Sequence, residues 1–292
     1  MPDLRPPSLD EVCADAVRLP CAPAMLPRLA EVLQKEESTA GDIQAIIELD
    51  SALAASTLRL ANSAYFGGRA VDTLEQAVIR LGLKEVYRLA ALALVNRWEA
   101  GHSLALRCEP GDFCRHALCT ALAAEVLAEK TGQIEPQVAY TAGLISDLGK
   151  LALAQSCTSF YPAVRACCET TACTWEQAEK TVLGFNHAQV GGRLLRQWRF
   201  PEIFSQAAEF QFDPAAAPVA ARPLLAHLHA GKYVATTMGP GVAEEGFLFT
   251  IHGAFLAEYG LTPGLVETAM PEVLERAARR LGKKLTHGAV NL

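Results

Sequence analysis

Along most of this chain apolar residues recur at intervals of three and four, and that spacing constrains the fold more than any other feature. Leu29, Val32 and Leu33 share one helical face, as do Ile43, Ile46 and Ile47, and again Val86, Leu89, Ala90 and Ala93. Short alternating runs of β-branched residues, the mark of a half-buried strand, are nearly absent, while Ala and Leu are abundant. Helix-start signals stand where these faces begin. Thr39 precedes Asp42, Thr73 precedes Gln76 and Thr174 precedes Gln177 at the spacing of a capping box, and Asn186 is placed to cap the segment after it. Gly82 and Gly184 supply stops. The pattern predicts an all-α protein.

The helical stretches group into two packed lobes. Residues 1–18, rich in proline and charge, are expected to form a tail or a short leading helix. Residues 19–104 hold a compact run of helices, with Asp50 placed to end one and cap the next. The stretch 99–111 breaks the periodicity and marks a boundary. A second helical lobe over 105–240 opens with Asp112–Lys130, on which Phe113, His116, Ala117 and Thr120 lie along one face. Within His187–Trp198, Gly191 and Gly192 predict close approach by a neighbouring helix. Residues 241–292 are read as C-terminal helices and a tail. The expected helices there are Phe247–Tyr259 and Pro271–Leu281, with Phe247–Ile251 equally open to a short strand. Lys283, Lys284 and His287 are expected in solvated tail.

Composition narrows the function classes. A chain of 292 residues that is 51% hydrophobic can bury a substantial core. Its formal charge of -6 gives no general attraction to nucleic acid or to an anionic membrane. The nine cysteines contain no Cys-x-x-Cys pair, so neither a disulfide framework nor a zinc site follows. No apolar leader or membrane-length run is seen. The expected setting is reduced, soluble and cytoplasmic.

The stretch Tyr140-Thr-Ala-Gly-Leu-Ile-Ser-Asp-Leu-Gly-Lys150 is distinctive, because small and apolar residues lead into a Ser-Asp pair and a Gly-Lys. Further motifs accompany it in order. They are Leu26-Pro27, Ile46 to Leu53, Leu58-Arg-Leu-Ala-Asn-Ser-Ala-Tyr-Phe-Gly67, Leu74 to Leu83, His187-Ala-Gln-Val-Gly191 and Trp198 to Pro201. Together the set resembles the HDOD family, bacterial signalling proteins whose fold is related to the HD and HD-GYP metal-dependent phosphohydrolases. The resemblance implies an N-terminal helical bundle packed on an HD-like helical lobe.

It also implies where a metal site would stand. His116 matches the first histidine of the HD pattern, Asp147 the aspartate of the His-Asp pair, and His187 a later histidine of binuclear relatives. Ser146 replaces the histidine of the pair, and a hydroxyl is a poor ligand beside imidazole. Gln211 and Phe212 take the places of adjacent histidines. The final aspartate is missing, in a region reading His227-Leu-His-Ala-Gly-Lys232. His227 or His229 would reach the site only by a slip of register. Ordinary roles compete, since His116 fits a satisfied core histidine and Asp147 fits a cap for the helix after it.

The sequence therefore points to a non-catalytic regulatory module acting through an unidentified signalling protein, with no cofactor and no metal. The corner carrying Asn62, Tyr65 and Phe66 is its candidate partner surface. Two alternatives stand beside it. One is a residual phosphohydrolase holding a metal through His116, Asp147 and His187. The other is a nucleotide or cyclic-dinucleotide sensor using the old cavity, with Lys150 meeting phosphate.

Overall fold

The computed structural model describes residues 5–16, 25–34, 39–63, 66, 68–100, 108–239 and 249–281, and every regular element among them is a helix. By contacts the chain divides into two compact units, Pro20–Arg97 and Met1–Leu19 with Trp98–Leu292.

The smaller unit is built from α2 (Met25–Gln34), α3 (Ala40–Ile47), α4 (Ser51–Ala61), α5 (Leu74–Leu81) and most of α6 (Leu83–Glu99). Its apolar faces are those the periodicity marks: Ile43, Ile46 and Ile47 of α3 are buried, and α3 packs on α5, whose Ala77, Val78 and Leu81 are buried too. Thr39 and Asp42 form the expected reciprocal box at the start of α3. At α5 only half of the box forms. The Thr73 hydroxyl accepts the Gln76 N–H at 3.2 Å, while Gln76 reaches back to the Asp72 N–H at 3.4 Å. Asp50 accepts the Leu53 N–H at 3.0 Å to start α4 and also pairs with Arg97 at 2.5 Å.

The larger unit is organised around α7 (Asp112–Thr131), whose residues from His116 to Ala128 are all buried. Gly111, ahead of it, has no side chain to cap the first turn. Glu99 does so from a distance, accepting the N–H groups of Gly111 (2.7 Å), Phe113 (3.3 Å) and Cys114 (3.1 Å). A carboxylate at this end also opposes the positive end of the helix dipole. Around α7 lie α8 (Pro136–Ile145), α14 (Arg222–Met238) and α16 (Pro263–Leu281). A second layer contains α9 (Leu148–Ser156), α10 (Tyr161–Thr171), α11 (Trp175–Leu183), α12 (His187–Gln197) and α13 (Glu202–Glu209). The leading helix α1 (Leu9–Ala16) buries Val12, Cys13 and Ala16 and packs on α9 and α12. Trp98 and Trp198, both buried, stack with centroids 5.2 Å apart.

One crossing decides where the site residues lie. α9 meets α12 so closely that a Cβ on Gly149 would fall 1.9 Å from the His187 carbonyl oxygen. Only glycine permits that approach. At the expected small pair on α12, Gly192 is the one that needs its hydrogen, since a Cβ there would sit 2.6 Å from Glu209 Cβ on α13. Gly191 makes ordinary contacts at 3.5 Å.

The C-terminal expectations need correction. Helix α15 covers Gly253–Glu258 rather than 247–259, residues 249–252 are neither helix nor strand, and 247–248 lie outside the described residues. Pro271 lies inside α16 and does not begin it. The start is Thr262-Pro263, with the threonine hydroxyl accepting the Leu265 N–H at 3.3 Å and proline in the first turn. Val266, Ala269, Val273 and Ala277 form a continuous buried face through Pro271. That burial sustains the helix past a residue that costs one backbone hydrogen bond. The tail residues Lys283, Lys284 and His287 lie outside the described residues.

Candidate functional site

His116 from α7, Asp147 from the turn between α8 and α9, His187 from the first turn of α12 and Lys232 from α14 converge in the interior of the larger unit. Asp147 does not cap α9 with its side chain. One carboxylate oxygen lies 2.5 Å from Lys232 Nζ and the other 3.2 Å from Lys150 Nζ. The imidazoles stand farther off, with His116 Nε2 and His187 Nε2 each 3.9 Å from an oxygen of the same carboxylate. Asp147 is 5% exposed, Lys150 2% and Lys232 4%. Burial by itself would raise the Asp147 pKa, but Lys150, then Lys232, then the two histidines hold it well below the ordinary carboxylate value. His116 moves the other way. Burial first, then the nearby Lys150, push its pKa down to about 3, so the ring is neutral.

The residues around this centre are tied to backbone and to one another. Glu179 of α11, 1% exposed, accepts from the His187 ring Nδ1 at 2.6 Å, the His187 backbone N–H at 2.9 Å and Trp175 Nε1 at 2.9 Å. A carboxylate on Nδ1 fixes the imidazole orientation, as it does for histidines that face a metal. Where imidazoles are missing, the replacements serve the backbone. Ser146 Oγ donates to the Gly143 carbonyl at 3.3 Å, and Gln211 Nε2 donates to the Ser146 carbonyl at 3.2 Å. Phe212 packs edge-on against His187 at 5.1 Å between centroids, and Lys232 Nζ stands 5.5 Å from the Phe212 centroid.

Sequence reasoning did not single out Lys232 or Glu179 as site residues. Each is a charged residue on an apolar helical face, and that was the available signal. Slipping the register to bring in His227 or His229 is not what happens. His227 bonds Thr131 Oγ1 and the Pro223 carbonyl, each at 2.7 Å. His229 accepts the His252 N–H at 3.2 Å and packs against Phe249. In the smaller unit, the Asn62 amide bonds Val71 in both directions, at 2.9 and 2.8 Å, and Arg80 reaches the carbonyls of Ala61 and Arg69. These bonds link Asn62 to Val71 and Ala61 and Arg69 to Arg80. Phe66 is half-buried, and Tyr65 lies outside the described residues.

A family model described as the HDOD domain matches residues 19–214, more than half of the chain. The chain belongs to the HDOD family. An uncharacterized protein of Treponema pallidum is 28% identical over 222 residues, which are 71% of this chain and 40% of that protein; the HDOD chain thus spans well under half of that relative. An HDOD domain protein of unknown function from Geobacter sulfurreducens superposes with a TM-score of 0.73 at 20% identity, covering 96% of this chain and 98% of the other. A candidate signal-transduction protein from Marinobacter aquaeolei gives 0.69 at 24% identity, over 91% of this chain and 59% of its own. At these identities the likeness shows the fold. No helix among the described residues is long and apolar enough to cross a membrane.

The HD relationship implies a metal, and the residues at this HDOD centre do not fit one. Both oxygens of the Asp147 carboxylate already face ammonium groups, and among the described residues no group of three or more His, Cys, Asp or Glu is arranged to hold an ion. A divalent cation would have to enter beside two buried positive charges, where repulsion is screened far less than in water.

Proposed function

We propose that this HDOD chain is a signal-transduction module that acts through protein contacts and does not hydrolyse phosphoesters. The observation that carries this reading is the double hold on Asp147, by Lys232 at 2.5 Å and Lys150 at 3.2 Å. The two ammonium groups supply the positive charge that a hydrolase takes from its metals. They do not supply what a metal does to a bound water, which is to lower its pKa until hydroxide forms near neutrality. The diversion of Ser146 and Gln211 into backbone hydrogen bonds supports the same reading. The likeness to the candidate signal-transduction protein from Marinobacter supports the signalling part of the reading alone.

We assign partner contact to the corner that carries Asn62, Tyr65 and Phe66, supported by the exposure of Asn62 and of the neighbouring Gly68, Arg69 and Ala70. A cytoplasmic setting is part of the proposal. The test is metal analysis of chain purified without chelator, followed by phosphodiesterase and nucleotidase assays with added Mn²⁺, Mg²⁺ or Zn²⁺. Substoichiometric metal and no turnover are expected. Stoichiometric metal with turnover that Asp147→Asn abolishes would replace this reading with a residual hydrolase. Cross-links to a partner that all fall outside 62–70 would remove the corner from it.

A further inference from the structure

Lys232 and His116 belong to the Asp147 centre, but they also line a cavity of about 110 Å³ in the same unit. Its lining is graded. Lys232, His116 and Trp175 are buried, Phe212 and Phe249 are half-buried aromatic surfaces, and Gln177 and Thr250 are exposed. Thr236, half-buried on α14 one turn after Lys232, adds a hydroxyl to the lining.

His116 is the unexplained group. It is 8% exposed, and among the described residues it makes no hydrogen bond; its Nε2 stands 3.9 Å from the Asp147 carboxylate. A buried imidazole ordinarily finds a partner. A ring that borders a cavity and lacks one is suited to a ligand that accepts a hydrogen bond. Beside it stands a buried ammonium, and a cation with an imidazole N–H donor is a pairing that favours an oxyanion through charge-assisted hydrogen bonds. One acid also lines the cavity. Glu176 is half-buried and its carboxylate accepts the Thr174 hydroxyl, so the favourable end for an anion is the buried one, where the Asp147 carboxylate is outnumbered by the ammonium groups of Lys232 and Lys150.

Size selects among oxyanions. Pockets that enclose drug-sized ligands run to roughly 300–1,000 Å³. A cavity of about 110 Å³ admits a phosphate group and leaves anything larger at the rim. We propose that this cavity is a metal-independent site for a phosphate group, held by Lys232 and the His116 ring N–H, and presented as free phosphate or as the end of a phosphomonoester. The sequence expectation gave that contact to Lys150. The lining of the cavity gives it to Lys232.

The experiment is isothermal titration of the full chain in EDTA at neutral pH with inorganic phosphate, AMP and cyclic di-GMP, repeated on Lys232→Gln and Thr236→Glu. Saturable binding of phosphate or AMP, one per chain, is expected, with cyclic di-GMP silent. Tighter AMP than phosphate identifies a phosphomonoester as the source, and equal affinity identifies free phosphate. Thr236→Glu places a negative charge in the cavity without touching the Asp147 centre. It should weaken binding about tenfold or more while circular dichroism stays unchanged, which keeps the test decisive if Lys232→Gln fails to fold. The proposal is overturned by no binding at millimolar phosphate and AMP, by affinity unaltered in Thr236→Glu, by cyclic di-GMP binding as tightly as AMP, or by binding that appears only when a divalent metal replaces EDTA. The last outcome would also count against the non-catalytic reading, whereas the others leave that reading intact.

Discussion

Asp147 and Arg276 are mirror images in composition. Asp147 is one anion held by two ammonium groups, with a side chain 6% exposed. Arg276 on α16 is one cation held by three carboxylates, Glu125 at 3.3 Å, Glu129 at 2.6 Å and Glu272 at 2.6 Å, with a side chain 27% exposed. Both tie helices together across long stretches of sequence, Asp147 joining α14 to the α8–α9 turn and Arg276 joining α16 to α7. The difference lies in the solvent. At Arg276, water and salt compete at Glu129 and Glu272, each with a side chain 38% exposed, and only Glu125 is buried, so much of the attraction is already available to the separated groups. At Asp147 they do not, so each charge has become obligatory for the others.

Breaking each centre in turn should expose that contrast. Asp147→Ala leaves two ammonium groups buried without their shared carboxylate, and a loss of about 3–5 kcal/mol is expected by urea unfolding. A loss below about 1 kcal/mol would mean that water reaches the centre, and would erase the distinction.

Acid should probe the interior next. His116 and His229 are held neutral mainly by burial, with pKa values of about 3 and about 4. Unfolded, each takes a proton near pH 6.5, so the unfolded state binds more protons and stability falls as pH drops from about 6.5 toward 4. The expected slope is about 1.4 kcal/mol per pH unit for each histidine. Asp147, whose pKa is depressed, adds its own loss only below the ordinary carboxylate range. Urea midpoints at pH 7.5, 6 and 5 measure the fall, and His229→Gln should remove one histidine's share of it.

The smallest effect belongs to the surface. Glu129→Ala, which removes an exposed partner of Arg276, should cost on the order of 1 kcal/mol or less. In 1 M NaCl, where charges are screened within about 3 Å, that difference should shrink toward zero, while the cost of Asp147→Ala persists.

What could be read from the chain alone follows from the range over which each signal acts. Thr39 with Asp42 and Asn186 at the start of α12 act within one helical turn, and both form as the sequence suggests. The faces of α3, α5 and α7 repeat over several turns and are equally plain. Pro271 was a misleading local signal, because the face that overrides it packs on a helix about 150 residues earlier. The site shows the same limit. Asp147 and His187 could be located by motif, and so could Lys150, but the nearer of the two ammonium groups that meet Asp147 comes from 85 residues later. Helical periodicity says that Lys232 lies on a buried face and is silent about what it meets there. Glu179 is comparable, an acid four residues after Trp175 on a buried face, with its purpose visible only when His187 is brought to it.

The stacked Trp98 and Trp198 and the Trp175 that bonds Glu179 are all the tryptophans in the chain, and none lies in Pro20–Arg97. Indole emission is therefore blind to the smaller unit, whereas far-ultraviolet dichroism records the helices of both. Followed together through a melt, the two signals give an unlabelled readout of whether the units unfold as one cooperative body, and non-coincident transitions would mean that they do not. Because Trp175 also lines the cavity, its emission provides an optical monitor of whatever enters there.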